Sequence, residues 1–322
     1  MPGQRLEERN PLETVNPRLF PRNWTIEDAQ ASLRDQGYVA DESSATVVLL
    51  GALLDKPVLV EGPAGGGKTA LALAWAKATG RRLIRLQCYE GLDESRALYE
   101  WSYGRQLLAT QLAKEFLSRD SAAEAPDFAR ALAEVSESGA ADALFSDRFL
   151  IERPLLQALR SETPALLLID EIDRAGEDFE ALLLEMLSDY QITIPELGTI
   201  KATHPPIVIL TSNATRDLSD ALKRRCLHIA LDFPDPARER EILRSAVPDL
   251  DERLGDVVVT AINRIRTLDL RKRPSAGETI DWVRALRALG VRELDNATLR
   301  ATAGVIAKYA ADEELVRAAF AG

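Results

Sequence analysis

Apolar residues arrive along this chain in two rhythms. Unbroken runs at Val58–Val60, Ala165–Ile169 and within 206–213 predict strands buried on both faces of a parallel sheet. Arg82–Cys88 predicts a further strand, and one more follows Arg225 before Pro234. Helix-forming stretches lie between them. Asp41 or Ser43 caps one running to about Leu54, a second follows Thr69, Pro154 opens a third, and 178–188 holds a fourth. Residues 191–202 break at Pro195 and Gly198, which predicts a hairpin. After Pro234 and Pro236 the pattern turns helical, in segments near 237–247, 250–265, 276–290, 295–303 and 310–320. Alternating strands and helices followed by helices alone predict an α/β domain over 36–234 and a small helical domain over 235–322. Residues 1–35 carry Pro2, Pro11, Pro17 and Pro21 with little periodicity and predict an arm. Trp24 within it is an anchor or an ordinary packing residue.

The junction after the first strand carries the chemistry. Gly62, Pro63, Ala64, Gly65, Gly66, Gly67, Lys68 and Thr69 fit the pattern G-x-x-x-x-G-K-[ST] without a mismatch, and Ala70 opens the helix behind it. Glycines let the backbone curl around a phosphate with its N–H groups inward, and the helix start adds a positive dipole end. Lys68 then reaches the β- and γ-phosphates of ATP, and the Thr69 hydroxyl ligates Mg²⁺. A Gly-rich turn with an accidental Lys-Thr is the bland alternative, and the strand–loop–helix setting disfavours it.

The run Ala165–Ile169 ends in Asp170 and Glu171. Carboxylates at the C-terminal end of a parallel strand stand where ligands bind in such folds. Asp170 is expected to hold the Mg²⁺, and Glu171 to orient and deprotonate an attacking water. Asn213, ending a later strand, is placed to touch the γ-phosphate or the water, although Asn also ends strands as plain turn chemistry. Tyr38 and Val39 precede the first helix, where an adenine ring could rest; they fit the core equally well.

Other features point less sharply. Tyr99, Trp101 and Tyr103 suggest a gripping surface, a subunit contact or a packed helix. The Ala-rich, acidic stretch 111–146 reads as helical insertions with a solvated face. Cys88 and Cys226 fit no metal or redox spacing, and read as buried thiols. A net charge of −11 argues against a general nucleic-acid binder. The polar N-terminus lacks a signal-peptide core and no apolar run spans a bilayer, so a cytoplasmic location without membrane contact is expected.

In this order, the phosphate loop, Asp170-Glu171, Asn213, Arg224-Arg225 and a C-terminal helical domain resemble an AAA+ ATPase over about 36–322. Within that family the chain is similar to the MoxR branch through Leu86–Asp93, Leu98–Trp101, Arg153–Ala158, Ile192–Gly198 and Ala221–Cys226. It is similar to the MoxR-type ATPases encoded with carbon monoxide dehydrogenase, which help mature its copper–molybdenum site. The resemblance implies a three-layer αβα domain around a parallel five-stranded sheet, with the helical domain as a lid. It implies a ring, hexameric in expectation, with Arg225 or Arg224 reaching a neighbour's ATP as an arginine finger. It also implies a von Willebrand factor A-domain partner and a client metalloenzyme. Two departures stand out. Gly277 falls where the family places a lid arginine; either Arg271, Lys272 or Arg273 substitutes, with Arg273 first among them, or the lid couples to nucleotide differently. The acidic stretch is also longer than the branch leads one to expect. Two other functions compete: a nucleotide-gated scaffold with little hydrolysis, which the intact Asp170-Glu171 pair disfavours, and a nucleic-acid-acting NTPase, which the acidic charge disfavours.

Overall fold

The computed structural model describes residues 23–117 and 144–321. Five parallel strands form its central sheet: β1 (Val58–Glu61), β2 (Arg82–Gln87), β5 (Ala165–Asp170), β8 (Ile207–Ser212) and β9 (Leu227–Ala230), in the order β2-β5-β8-β1-β9. Every residue of β5 and β8 is buried, because each strand presents apolar side chains to both faces. Leu166 and Leu168 pack on one face with α1 (Ile26–Asp35), α2 (Glu42–Leu53) and α3 (Lys68–Ala78), whereas Leu167 and Ile169 pack on the other. There they meet helices Pro154–Leu159 and Glu177–Asp189. The predicted three layers and five strands are therefore present.

Strand order sets the site. The chain leaves β1, passes over β8 and β5 through α3, and returns as the edge strand β2. Ligands bind outside the carboxyl ends of strands at such a crossover. The neighbours β5, β8 and β1 end in Asp170, Ser212 and Glu61. The acidic pair, Asn213 and the phosphate loop therefore emerge side by side.

Three expectations change. The stretch read as an arm contains α1, whose Ala29 and Leu33 are fully buried. Its start was legible: Thr25 and Asp28 form a capping box that satisfies two of the orphan donors at the helix start. Trp24 packs edge-to-face on Trp75, with ring centroids 5.9 Å apart, so it serves local packing. Second, Tyr99 and Trp101 lie on a short strand, β3 (Tyr99–Trp101), paired antiparallel with β4 (Leu150–Glu152). Trp101 is buried against Phe145; only Tyr103 stays largely exposed. Third, Cys88 is a buried free thiol as expected, but Cys226 is only half-buried. Most of the acidic stretch 111–146, and Pro2 to Pro21, lie outside the described residues.

Beyond β9 the helices Pro236–Ala246, Glu252–Arg266, Ala276–Ala288, Asn296–Ile306 and Ala310–Ala319 enclose their own core around Trp282, Ile262 and Val316. Its polar centre is a buried ion pair. Arg266 donates to both oxygens of Glu239 at 2.6 and 2.8 Å, Thr279 donates to Glu239 at 2.9 Å, and Arg266 Nε reaches the Pro274 carbonyl at 2.9 Å. That last bond fixes the turn leading into Ser275, which faces the phosphate loop.

Candidate nucleotide site

Two glycines show why the loop needs its composition. A Cβ on Gly62 would lie 2.1 Å from the Leu231 carbonyl oxygen. Gly65 has φ +80°, and a Cβ there would lie 2.6 Å from Ser275 Cβ and Oγ. The first contact seats the loop on the chain leaving β9; the second seats it under the helical domain.

Lys68 starts α3 and is buried. Its ammonium donates to the carbonyls of Gly62 at 2.7 Å and Pro63 at 2.8 Å, and to Asn213 Oδ1 at 2.8 Å. Burial pulls the Lys68 pKa below the ordinary lysine range; Asp173, Asp170 and Glu171 pull it back. Asn213 thus touches the phosphate-loop lysine directly.

Asp170 is the most enclosed carboxylate of the group. Its Oδ1 accepts from the Thr69 hydroxyl at 3.1 Å and from Thr211, and its Oδ2 accepts from Arg85 at 2.5 Å. Glu171 follows in a left-handed conformation, φ 57° and ψ 50°, a strain of about 1–3 kcal/mol for a residue with a Cβ. Its amide donates to Thr211 Oγ1 at 2.9 Å, and its carboxylate pairs with Arg174 at 3.1 Å. Asp170 and Glu171 thus bond to different neighbours while lining one hollow.

Asp173 was not singled out by sequence reasoning, yet it organises the Asn213 loop. It accepts from the amides of Asn213 at 3.2 Å and Thr215 at 3.1 Å, and from the Thr215 hydroxyl. Burial alone would raise its pKa; the hydrogen bonds from Thr215 and Asn213 outweigh that and hold it below the ordinary range. Arg216 extends the clamp by bonding the carbonyls of Asp173 and Ala175 and pairing with Glu180 at 2.6 Å. Thr211, Asp173 and Arg85 carried no motif signal, because their roles depend on which strands are neighbours.

Ala64, Gly65, Gly67, Lys68, Thr69, Ala70, Asp170, Glu171, Thr211 and Asn213 line one hollow of about 250 Å³. A second, of about 280 Å³, shares Ala64 and runs along Pro63, Phe233, Leu270 and Arg273. Arg271 and Lys272 line it as well, so all three stand beside the phosphate loop; Lys272 pairs with Glu278 and Arg271 stacks on Tyr309. A roomier hollow of about 840 Å³ lies in the helical region near Leu254 and Val291. It gathers no comparable chemistry, so chemistry rather than size selects the site.

The remaining expected residues divide. Tyr38 is buried, its ring 3.5 Å from where a Gly67 Cβ would stand, and burial raises its hydroxyl pKa to about 12. The Val39 carbonyl accepts from Arg238 Nε at 3.1 Å. Arg224 and Arg225 end the helix Asp220–Arg225, and both are exposed. Arg225 is tied back to the Leu184 carbonyl and Ser188. Arg224 makes no hydrogen bond or ion pair among the described residues.

The donor set suits a triphosphate and a hard cation. Carboxylate and hydroxyl oxygens of Asp170 and Thr69 are the ligand type Mg²⁺ takes. The loop amides and the buried ammonium supply positive potential for phosphate oxygens.

Residues 47–197 match the family model described as AAA ATPase domain. Protein NorQ of Paracoccus denitrificans is 26% identical over 239 residues, which is 72% of this chain and 72% of that protein. The gas vesicle ATPase GvpN of Haloferax mediterranei is 26% identical over 221 residues, covering 66% of this chain and 56% of its own. Among solved structures, a Thermotoga maritima RuvB variant is 17% identical, covers 82% of this chain and 68% of its own, and has a TM-score of 0.45.

Proposed function

Because residues 47–197 match the AAA ATPase domain, we propose that the chain is an ATP-hydrolysing, MoxR-type chaperone. The observation that carries this reading is the convergence of Lys68, Thr69, Asp170, Glu171 and Asn213 on one hollow at three adjacent strand ends. The reaction is ATP + H₂O to ADP + phosphate. Gly62–Ala70 bind the phosphates, with Lys68 at the β- and γ-groups. Thr69 and Asp170 hold Mg²⁺, which supplies charge neutralisation for the transferring phosphoryl. Glu171 orients the water and takes its proton, and Asn213 positions the γ-phosphate or that water. Tyr38, Val39 and Arg273 border the base and the lid side.

The working form is a ring, hexameric in our reading, with an arginine finger from the neighbouring subunit. Of the two candidates, the absence of a side-chain partner on Arg224 favours that residue, since Arg225 is held by the helix Glu177–Asp189. The domains act as 36–234 and 235–322, and movement of the second over ATP reaches a client through the segments 89–105 and 191–203. The client class is a metalloenzyme, of the carbon monoxide dehydrogenase type on the sequence resemblance, with a von Willebrand factor A-domain partner in the cytoplasm. No helix among the described residues is long and apolar enough to cross a membrane.

Phosphate release by the full chain, with Mg²⁺ and either ATP or GTP, tests the reaction. ATP-preferring turnover that rises with protein concentration is expected. Turnover that prefers GTP and responds to DNA favours a nucleic-acid-acting NTPase. Tight ATP binding without phosphate release favours a nucleotide-gated scaffold.

A further inference from the structure

Asp170 accepts from three side chains, and one of them is a cation. Thr211 donates to Oδ1 and Thr69 lies within reach of both oxygens, at 3.1 and 3.3 Å; Arg85 from the edge strand β2 donates to Oδ2 at 2.5 Å. The pairing follows from topology, since β2 lies beside β5 with Gln87 opposite Asp170. Arg85 reaches forward along the strand, and its guanidinium also donates to Gln87 Oε1 at 2.8 Å. The side chain of Asp170 is 4% exposed and that of Arg85 is 50% exposed. The carboxylate is therefore fixed and the arginine is free to leave.

We infer that Arg85 is a positioning residue that competes with Mg²⁺ for Asp170 and thereby sets how much Mg²⁺ the site demands. This rests on the ATPase reading above. A divalent ion drawn to Asp170 meets a like charge on the same oxygen, and like charges oppose each other across such short distances. Of the three donors, Thr211 is fully buried, and Thr69 is itself a prospective metal ligand. Arg85 is the donor whose departure costs the fold least, because half its surface already meets water. In the nucleotide-free chain the arginine replaces the missing positive charge and keeps a buried carboxylate compensated, which otherwise costs heavily. Arg85 thus links metal loading to a movement at the outer edge of the sheet.

The test is binding of a fluorescent, non-hydrolysable ATP analogue by the full chain, followed across a Mg²⁺ titration. Arg85→Gln keeps a hydrogen-bond donor and removes the charge; its half-saturating Mg²⁺ is expected to fall at least about fivefold, a figure discounted for the exposure of Arg85. Arg85→Lys keeps the charge and is expected to stay within about twofold of wild type on the same Coulomb argument. Should Arg85→Gln lack a cooperative melt, Arg85→Met carries the same expectation. An unmoved or raised Mg²⁺ requirement in the charge-free variant overturns the inference. Absence of any nucleotide binding by the wild-type chain overturns the ATPase reading instead, so the two failures are distinguishable.

Discussion

Gly65 of the phosphate loop and Ser275 at the cap of the helix Ala276–Ala288 stand so close that a Cβ on the glycine would come within 2.6 Å of the serine side chain. The two halves of the chain therefore touch at the residue whose backbone bends around phosphate. Gly65→Ala should weaken ATP binding through this contact and through a left-handed φ, a strain of about 1–2 kcal/mol by itself. Ser275→Gly removes the opposing atoms, so the double variant should recover part of the affinity. Nucleotide titration of both variants checks this; equal losses would mean that strain alone matters.

Asp173 gives an acid-side prediction. Its folded pKa lies below the ordinary aspartate value of 3.8. Its contribution is then fully present above that value and is lost as pH falls through the lower folded pKa. Asp173→Asn should lower stability by about 2 kcal/mol near neutrality, the scale of hydrogen bonds to a charged group. The gap between wild type and variant should shrink below pH 3.8. Thermal melts across acidic pH measure it. The variant should also slow turnover more than it weakens binding, because Asn213 loses its anchor.

The buried pair in the helical domain carries a stability prediction. Arg266 and Glu239 are 8% and 0% exposed. Glu239→Ala leaves a buried guanidinium uncompensated and should cost about 3–5 kcal/mol. Chemical denaturation measures the loss. Because Arg266 also fixes the Pro274 carbonyl, nucleotide affinity should fall with it.

Arg224 and Arg225 should separate cleanly. Arg224→Ala should keep ATP binding and lower turnover by about 10³-fold or more, the scale of a lost arginine finger. Arg225→Ala should chiefly lower the melting temperature, since it loses its hold on Leu184 and Ser188. Mixing Arg224→Ala with a Lys68→Ala chain should restore some turnover if the finger acts between subunits.

Much of this was legible in the sequence because its carriers are local. The phosphate loop, the apolar run ending in Asp170 and Glu171, and the strand ending in Asn213 announce themselves within a dozen residues each. The buried strands were legible because Ala165–Ile169 of β5 and Ile207–Leu210 of β8 are apolar at every position. The helix Ile26–Asp35 is obscured in the sequence by the prolines upstream of it, although Thr25 and Asp28 carry its capping box. Arg85, Thr211 and Asp173 were illegible for a different reason. Each matters through a partner about 40 to 85 residues away, and only the order β2-β5-β8 brings them together.

The central claim is hydrolysis of ATP with Glu171 as the base, and one comparison tests it most directly. Steady-state phosphate release is measured for wild type and Glu171→Gln at saturating Mg²⁺ and ATP, beside equilibrium ATP binding. The wild type should turn over, and the variant should bind ATP at least as tightly while losing about 10²- to 10⁴-fold in rate, the usual scale of a general base. Turnover in Glu171→Gln equal to that of the wild type would contradict the account.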